Sequence, residues 1–358
     1  MTRARQALMR AWDGHADWQA QLISLSLLPL SWLFGALIAL RRWLYLVGYF
    51  KQQTLPVPVI VVGNVMVGGV GKTPITIALV QHLAAQGWSV GVLSRGYGRK
   101  ASTGLNSTQS VLHNSSAAEV GDEPLLIARL CQVPVFVSTD RVAAGRALLA
   151  AHPDVQVLVC DDGLQHWALA RDLELCVFDE RGVGNGQLLP AGPLREPWPR
   201  GAWRSKWFKP ARACWVINSG GKPHEQAFAV QRRLADYALQ ANGTQRALES
   251  WKDMPLQALA GIAKPDVFFA MLRAKGLTLS HTHALPDHAD LQDLPVELFS
   301  ADVLCTEKDA VKLWPTQPSA WAVPLITTLP AELLQAVDQF LTIADPAKLS
   351  SSHGQQTA

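Results

Sequence analysis

The sequence predicts an α/β protein with a doubly wound parallel sheet, a smaller second α/β domain and an apolar helix at the N-terminus. Runs of β-branched residues, the first at 57–62, alternate with helix-forming stretches through residues 51–225, which is typical of such sheets. A glycine-rich turn follows the first run, and no charged residue occurs between positions 18 and 40. Ligands of doubly wound sheets bind at the carboxyl ends of the strands, so we expect a binding site there.

The length and composition limit the class of protein. The chain has 358 residues, enough for two domains of about 150 residues each. Hydrophobic residues make up 49% and charged residues 17%, which excludes an intrinsically disordered chain. A net charge of +3 is too small to indicate a nucleic-acid partner. We expect a hydrophobic segment at 1–50, a main domain at 51–225, a smaller domain at 226–345 and a disordered tail at 346–358.

The apolar N-terminal segment has three interpretations. Its core, residues 22–40, is close to the roughly 20 residues that a membrane-spanning helix needs, although Pro29 favours a kink. The stretch is too long for a cleaved signal peptide, and Arg41 and Arg42 follow it instead of a cleavage site. A spanning helix, a helix lying in the membrane interface and a buried helix of a soluble domain remain open.

A phosphate-binding loop is predicted directly after the first strand. Residues 68–74 read Gly-Gly-Val-Gly-Lys-Thr-Pro, and a helical pattern follows them. In this strand, loop and helix context, backbone N–H groups bind phosphate oxygens, Lys72 reaches the β- and γ-phosphates, and Thr73 binds Mg²⁺. The strict motif has a glycine five residues before Gly71, where this chain has Met66.

Three carboxylates are candidates for the chemistry. Asp161 and Asp162 follow the apolar run 155–160, and the end of such a strand is where a carboxylate holds or orients Mg²⁺. Asp122 precedes an apolar helix, so it is either a helix cap or the general base that a kinase needs beside the acceptor hydroxyl.

A basic and aromatic stretch lies at 197–224. It contains no acidic residue, and Trp203, Trp207 and Phe208 alternate with arginines and lysines. This composition suits a membrane surface or an anionic amphiphile. Stacking on single-stranded nucleic acid and a solvated loop are the alternatives, and the apolar N-terminus favours lipid.

The second α/β unit is predicted from weaker patterns. Residues 226–241 look helical, 256–261 and 302–305 look like strands, and Lys264 opens a helix that continues through Lys275.

Several motifs occur together in a characteristic order. After the glycine loop come Ser-Arg-Gly-Tyr-Gly at 94–98, Gly-Asp-Glu-Pro at 121–124, Asp-Asp-Gly-Leu-Gln-His at 161–166, Leu-Leu-Pro-Ala-Gly-Pro-Leu-Arg-Glu at 188–196, Pro-Asp-His at 286–288 and Thr-Glu-Lys-Asp-Ala-Val-Lys-Leu at 306–313. With the apolar N-terminus, this set resembles the tetraacyldisaccharide 4′-kinase family from about residue 20 to residue 330.

The resemblance implies a function and a location. Members of this family transfer the γ-phosphate of ATP, with Mg²⁺, to the 4′-hydroxyl of an acylated glucosamine disaccharide 1-phosphate, which forms lipid IVA in lipid A biosynthesis. A location at the inner membrane follows, with the catalytic domain on the cytoplasmic face, and neither a nucleic acid nor an obligate protein partner is expected.

The resemblance also implies roles for single residues. Lys72 and Asp122 match catalytic positions, with Asp122 as the general base, and His288 matches the histidine that orients this base, although His283 is close enough to be an alternative. The residues expected to bind the nucleotide are Met66, Val67, Gly68, Gly69, Val70, Gly71, Lys72 and Thr73. The residues expected around the metal are Thr73, Asp161, Asp162 and Glu196.

Two other classes of function remain open. A membrane-recruited P-loop ATPase or GTPase switch needs the same nucleotide loop but no dedicated base, and a structural membrane-tethered module needs neither.

Overall fold

The computed structural model describes residues 3–14, 18–99, 107–112, 114–201, 203–221, 227–291, 294, 296–299 and 302–344. Its helices and strands are α1 (Arg3–Trp12), α2 (Trp18–Leu46), β1 (Val59–Gly63), α3 (Lys72–Ala85), β2 (Val90–Ser94), β3 (Gln109–Ser110), α4 (Ala117–Val120), α5 (Asp122–Cys131), β4 (Val135–Val137), α6 (Arg141–Ala151), β5 (Val157–Asp161), β6 (Leu173–Phe178), β7 (Ala213–Asn218), β8 (Phe228–Ala229), β9 (Gln231–Leu234), β10 (Tyr237–Leu239), β11 (Gln245–Ala247), β12 (Pro255–Ala260), α7 (Pro265–Ala274), β13 (Thr278–Ala284), β14 (Val303–Thr306), α8 (Glu307–Leu313), β15 (Trp321–Val323), β16 (Leu325–Thr328) and α9 (Ala331–Ala344).

The chain divides into two compact units that are both discontinuous in sequence. Unit one contains Met1–Lys72, Gln156–Val230 and Pro330–Ala358, and unit two contains Thr73–Val155 and Gln231–Leu329. Division by compactness does not test the contiguous domain limits predicted from the sequence, which stay a prediction. The predicted tail at 346–358 lies outside the described residues.

Unit one contains the parallel strands β5, β1, β6, β7 and β8, in that order. Every residue of β1, β5 and β6 is buried, which explains why these segments read as continuous apolar runs. Strand β5 pairs with one edge of β1, and β6, the next strand along the chain after β5, pairs with the other edge. This change of direction places a crevice at the carboxyl end of β1, and the register of β1 on β5 pairs Val62 with Asp161.

Unit two contains β3, β4 and β2 in that order, and a second sheet in the order β11-β10-β15-β14-β12-β13. Strands β13, β12, β14 and β15 are parallel, whereas β10 and β11 are antiparallel. Trp251, Phe269 and Leu304 are buried in the core beside the second sheet. Helix α5 packs against α8, and this pair positions part of the site. The predicted α/β class with parallel sheets is therefore confirmed.

One prediction within the second α/β unit is wrong. Residues 227–241 are not helical, because β8, β9 and β10 occupy this stretch; Gln226 lies outside the described residues. Strand β9 pairs with β16, and Leu234 lies opposite Leu325. This long-range pairing outweighs the helix propensity of the local sequence.

Helix α2 is long and continuous. It has 29 residues with Pro29 inside it. Its length and apolar composition are sufficient to cross a membrane, and 6% of its most apolar 18-residue segment is buried inside the protein. The side chains of Trp32 and Leu33 are 69% and 59% exposed. This exposure does not fit the buried helix of a soluble domain that the sequence left open.

One face of α2 docks on the loop of the 188–196 motif, also in unit one. The hydroxyls of Ser24 and Ser31 donate hydrogen bonds to the carbonyls of Ala191 at 2.9 Å and Leu188 at 2.8 Å. A Cβ on Gly35 would lie 3.1 Å from the Leu188 side chain. Small residues along this face let the helix approach the loop closely, and the opposite face remains apolar and exposed.

The N-terminus of α8 is held by three side chains. Thr306 caps the helix by accepting from the Asp309 N–H. The buried Asp309 carboxylate accepts from Gly261 N at 3.0 Å and from the Thr306 hydroxyl at 2.6 Å. The Glu307 carboxylate accepts from Leu325 N at 2.9 Å. Burial raises the pKa of Glu307 to about 7, although the hydrogen bond from Leu325 acts in the opposite direction.

We expect Glu307→Gln to stabilise the fold at pH 8. In the unfolded chain Glu307 ionises near pH 4.5, whereas in the folded chain it ionises near pH 7, so folding takes up a proton between these values and stability falls as the pH rises through them. The ionised wild-type side chain costs about 3 kcal/mol at pH 8. Glutamine keeps the acceptor for Leu325 and removes this cost.

Urea denaturation at pH 4.5 and pH 8 measures the effect. The gain should be present at pH 8 and small at pH 4.5. Glu249→Gln, at a side chain 82% exposed, is the matched control and should show no such pH dependence. Equal effects of Glu307→Gln at both pH values would contradict the assignment.

Candidate functional site

The predicted phosphate loop follows β1 in unit one and is anchored at its start. Met66 is fully buried and forms an isolated antiparallel β-bridge with Leu194. The N–H of Val67 donates to the carbonyl of Pro193 at 2.9 Å. The side-chain amide of Asn64 donates to the Met66 carbonyl at 2.8 Å. Met66 therefore serves the packing of the loop, which explains how the motif tolerates the absence of the usual glycine.

The backbone of the loop is open to an anion. Gly68 and Gly71 have φ values of 102° and 79°, a conformation that glycine adopts without strain. Within the described part of the chain, no acceptor is assigned to the backbone N–H groups of Gly68, Gly69, Val70 or Gly71. The carbonyl of Val70 accepts from the Ser219 hydroxyl at 2.7 Å, which holds the far side of the loop. Such a group of unpaired N–H donors at a helix N-terminus is a binding site for phosphate.

Lys72 lies where the sequence predicts it, beside the carboxylates after β5. Its Nζ donates to Oδ1 of Asn64 at 3.2 Å and is 3.5 Å from Oδ1 of Asp162. Arg195 also reaches Oδ1 of Asp162, at 3.4 Å. Asp162 therefore lies close to two cations beside the loop, Lys72 and Arg195. Both could neutralise the charge of a bound polyphosphate.

Asp161 and Asp162 differ in solvent exposure and in backbone conformation. Asp161 ends β5 and is 1% exposed, whereas the Asp162 side chain is 29% exposed. Asp162 has a φ of 49°, and apart from Gln132 and His288 no other described non-glycine residue has a positive φ. Strained backbone of this kind clusters at functional sites, and here it turns the Asp162 carboxylate toward Lys72.

Glu196 is buried in a network of ion pairs. Its Oε1 accepts from Arg200 Nη2 and from the Gln165 amide, both at 2.7 Å, and Arg42 Nη2 lies 4.0 Å from Oε2. Gln165 also donates to the carbonyl of Asn64 at 3.0 Å, which connects Glu196 to the start of the phosphate loop. This geometry favours a positioning role for Glu196, and direct binding of metal by Glu196 stays a prediction.

The predicted metal ligands suit Mg²⁺ but would supply only part of its coordination. Thr73, Asp161 and Asp162 offer only oxygen donors, which hard divalent cations prefer. Among the residues that the structure describes, no group of three or more His, Cys, Asp or Glu side chains is arranged around one point. Mg²⁺ in kinases is typically held by one or two carboxylates together with substrate phosphates and water, so a preformed cage is not required.

Asp122 occupies a second cluster, within unit two. It is the first residue of α5, after Gly121, and its side chain is 5% exposed. Gly121 has a φ of 94°, and a Cβ there would lie 2.9 Å from the carbonyl of Tyr97. Only glycine allows this approach, which brings the 94–98 motif and the start of α5 together.

His288 is the histidine that contacts Asp122. Its Nδ1 lies 3.0 Å from both Oδ1 and Oδ2 of Asp122, its φ is 60°, and its ring packs 4.9 Å from the Tyr97 ring. The alternative, His283, lies on β13, and its Nε2 is 3.0 Å from the Gln257 side chain. The geometry therefore favours His288 as the residue that orients Asp122.

Two lysines of α8 complete the surroundings of Asp122. Lys312 Nζ lies 3.7 Å and Lys308 Nζ 3.9 Å from its Oδ2. Burial raises the pKa of Asp122, but the hydrogen bond with His288 and the charges of Lys308 and Lys312 outweigh it, so the pKa lies below its ordinary value. Asp122 is therefore a carboxylate at neutral pH, as a general base must be before it accepts a proton.

Some residues of the site were not singled out from the sequence. Asn64, Gln165 and Arg195 surround Lys72 and Asp162, while Tyr97, Lys308 and Lys312 surround Asp122 and His288. All except Asn64 belong to the motifs at 94–98, 161–166, 188–196 and 306–313. Their place in these motifs could have indicated a role at the site. The sequence does not show in which direction their side chains point.

Comparison with known proteins identifies the family. A family profile described as "Tetraacyldisaccharide-1-P 4'-kinase" matches residues 23–342. Proteins named tetraacyldisaccharide 4'-kinase are 53% identical in Acidovorax sp. (strain JS42), over 94% of both chains, and 48% identical in Polaromonas naphthalenivorans (strain CJ2), over 99% of both chains. A crystal structure of LpxK from Aquifex aeolicus in complex with ATP superposes with a TM-score of 0.73 at 30% identity and covers 89% of this chain and 99% of its own. The chain therefore belongs to the tetraacyldisaccharide-1-P 4'-kinase family.

Proposed function

We propose that this enzyme transfers the γ-phosphate of ATP to the 4′-hydroxyl of a tetraacylated glucosamine disaccharide 1-phosphate, which forms lipid IVA for lipid A biosynthesis. The observation that carries the proposal is the buried Asp122 carboxylate beside His288. A switch ATPase or GTPase needs only a positioned water, whereas a kinase needs a base for the acceptor hydroxyl. The match to the 4′-kinase family supports the same conclusion, and no observation favours the switch.

The phosphate loop binds the triphosphate. The N–H groups of residues 68–71 donate to phosphate oxygens, and Lys72 and Arg195 exchange part of their pairing with Asp162 for the charge of the nucleotide. Thr73, Asp161 and Asp162 would hold Mg²⁺, which supplies further neutralisation of the β- and γ-phosphates when bound. Met66 and Val67 anchor the loop through the 193–194 segment.

Asp122 accepts the proton of the acceptor. As the 4′-oxygen forms its bond to the γ-phosphorus, the bond from that phosphorus to the β,γ-bridging oxygen breaks, and ADP leaves. The proton of the hydroxyl moves to a carboxylate oxygen of Asp122, which His288 holds in orientation. Because phosphoryl transfer depends mainly on positioning and charge, the orientation of this base matters as much as its basicity.

The acylated substrate requires work at a membrane surface, and unit one has features that suit it. The exposed face of α2 is apolar, and near its C-terminal end Gly48 lies against the ring of Trp207. Gln52 exchanges two hydrogen bonds of 3.0 Å with the backbone of Lys209. The basic and aromatic stretch is thus attached to the end of the apolar helix.

A cationic cavity lies in this stretch. It has a volume of about 420 Å³ and is lined by Arg204, Ser205, Lys209, Pro210, Ala211 and Arg212. In the described ranges of the chain, none of its three cations forms an ion pair with a carboxylate. Trp203 and Trp207 are 48% and 54% exposed, as aromatic residues at a membrane boundary are. We assign this surface to the phosphate groups of anionic phospholipids on the cytoplasmic side of the inner membrane, where ATP is available.

We expect Lys72→Ala to abolish turnover. The substitution removes the ammonium group that faces the phosphates, and the loss should be about 10³-fold or more. The measurement is transfer of ³²P from labelled ATP to the disaccharide lipid in detergent micelles. Lys252→Ala, at an exposed lysine paired with Glu249, is the control and should retain full activity. Label that appeared only as free phosphate with the wild-type enzyme would reject the kinase function.

Asp122→Asn should separate nucleotide binding from transfer. The amide keeps the shape of the carboxylate but does not accept the proton, so transfer should fall by about 10²- to 10⁴-fold. Binding of a fluorescent ATP analogue should change little. Wild-type transfer rates in this variant would eliminate Asp122 as the base.

Neutralising the cationic cavity should weaken its contact with anionic lipid. We expect the Arg204→Gln/Lys209→Gln/Arg212→Gln variant to lower the quenching of Trp207 by brominated phosphatidylglycerol about twofold or more, since each basic residue at the surface contributes about 1 kcal/mol. The Trp207 signal is the difference between each protein and its Trp207→Phe derivative, with the full chain in vesicles. Lys252→Gln/Arg273→Gln/Lys275→Gln is the control of equal charge. Unchanged quenching in the first variant would exclude the lipid assignment.

A further inference from the structure

Lys308 is a largely buried cation that contacts a histidine ring as well as carboxylates. It is the second residue of α8, and its side chain is 16% exposed. Nζ lies 3.1 Å from Oε1 of Glu123, 3.2 Å from Oδ1 of Asp287 and 3.3 Å from Nε2 of His288. The three N–H donors of the ammonium group therefore face two carboxylates and one ring nitrogen.

The contact between Lys308 and His288 determines where the ring proton lies. An ammonium group has donors and no acceptor, so Nε2 of His288 accepts from Lys308 through its lone pair. A neutral imidazole then carries its proton on Nδ1. Nδ1 is the atom that lies 3.0 Å from each oxygen of Asp122, so the proton is directed at the base.

We propose that Lys308 is a positioning residue that fixes His288 as the neutral Nδ1–H tautomer, so that His288 orients Asp122 by donating a hydrogen bond without pairing with it as a cation. This inference rests on the proposed function, because it concerns the same base. In this arrangement His288 takes no proton from the substrate. Among the residues that the structure describes, Asp122 is the one carboxylate in contact with Nδ1.

The groups around His288 support this assignment. Asp122 contacts it from α5, Asp287 precedes it in its own loop, Lys308 contacts it from α8, and the ring of Tyr97 packs beside it. Glu123 pairs with Lys308, and Lys312 lies near Asp122. Burial lowers the pKa of Lys308, but Glu123, Asp122 and Asp287 outweigh it and raise the pKa above its ordinary value. Lys308 therefore remains charged and keeps its donors.

Loss of Lys308 reverses the electrostatic balance at the ring. Asp287 Oδ1 lies 3.7 Å from Nε2, so without the lysine this carboxylate accepts a hydrogen bond from a protonated Nε2. The carboxylates of Asp122 and Asp287 then face Nδ1 and Nε2 of His288, and this arrangement favours a ring that donates from both nitrogens. A base paired with imidazolium is a weaker base, so transfer slows until the pH is high enough to remove the extra proton.

Nitrogen NMR of the full chain in detergent micelles, labelled with ¹⁵N-histidine, tests the tautomer without any reaction. His288→Gln assigns the His288 signals by difference. In the wild type at neutral pH we expect a protonated Nδ1 and an unprotonated Nε2. In Lys308→Met we expect Nε2 to be protonated, and in Lys308→Arg the wild-type pattern should persist. A wild-type ring protonated on Nε2, or the same pattern in Lys308→Met, would overturn the proposal.

The pH dependence of transfer is the second measurement. Lys308→Met should lose about 10- to 100-fold in kcat at pH 7 and recover part of it at higher pH, whereas Lys308→Arg should retain most of the activity. A merely structural lysine would not produce recovery with rising pH. Lys312→Met removes a charge from Asp122 but no contact with the ring, so it should keep the wild-type tautomer.

The two proposals fail in different ways. A wild-type enzyme that makes no phosphorylated lipid would refute the proposed function, while the NMR result would still decide the tautomer. Loss of activity in Lys308→Met with unchanged ATP-analogue binding, an unchanged tautomer and no recovery at high pH would leave the kinase function intact and refute the role of Lys308.

Discussion

The register of β1 on β5 is the constraint on which the predicted phosphate loop and the neighbouring acids of unit one depend. Pairing of Val62 with Asp161 ends both strands at the same level, so the loop after β1 and the acids after β5 share one edge. The distance of 3.5 Å between Lys72 and Asp162 is a consequence of this alignment. A shift of one residue would turn every side chain of these buried strands to the other face and would separate the lysine from the carboxylate.

The charges in both units are balanced locally. In unit one, Asp162 is shared by Lys72 and Arg195, while Arg200 and Gln165 hold Glu196. In unit two, Lys308 and Lys312 offset the acids that surround His288. Buried charges are tolerated only when they are paired, and the pairing also fixes their directions. Each cation therefore both offsets a buried negative charge and orients a predicted site residue.

Helix α2 is attached to the residues around the phosphate loop. Ser24, Ser31 and Gly35 dock it on residues 188–191, and this loop continues directly into Arg195 and Glu196. Arg42, close to the end of the helix, reaches Glu196. An apolar surface and the surroundings of the phosphate loop are thus parts of one compact unit, which suits a kinase of a lipid A precursor.

The sequence by itself determined the parallel α/β class, the phosphate loop, the apolar helix and the family, because these are local patterns or ordered motifs. It also predicted Lys72, Asp162, Asp122 and His288 as site residues. Only the tertiary structure placed His288 rather than His283 against Asp122 and paired β9 with β16 where a helix was expected. It also brought Arg195 to Asp162, and Lys308 and Lys312 to Asp122. These outcomes depend on contacts between residues far apart in the chain, and such contacts are decided by packing and charge balance that no local pattern records.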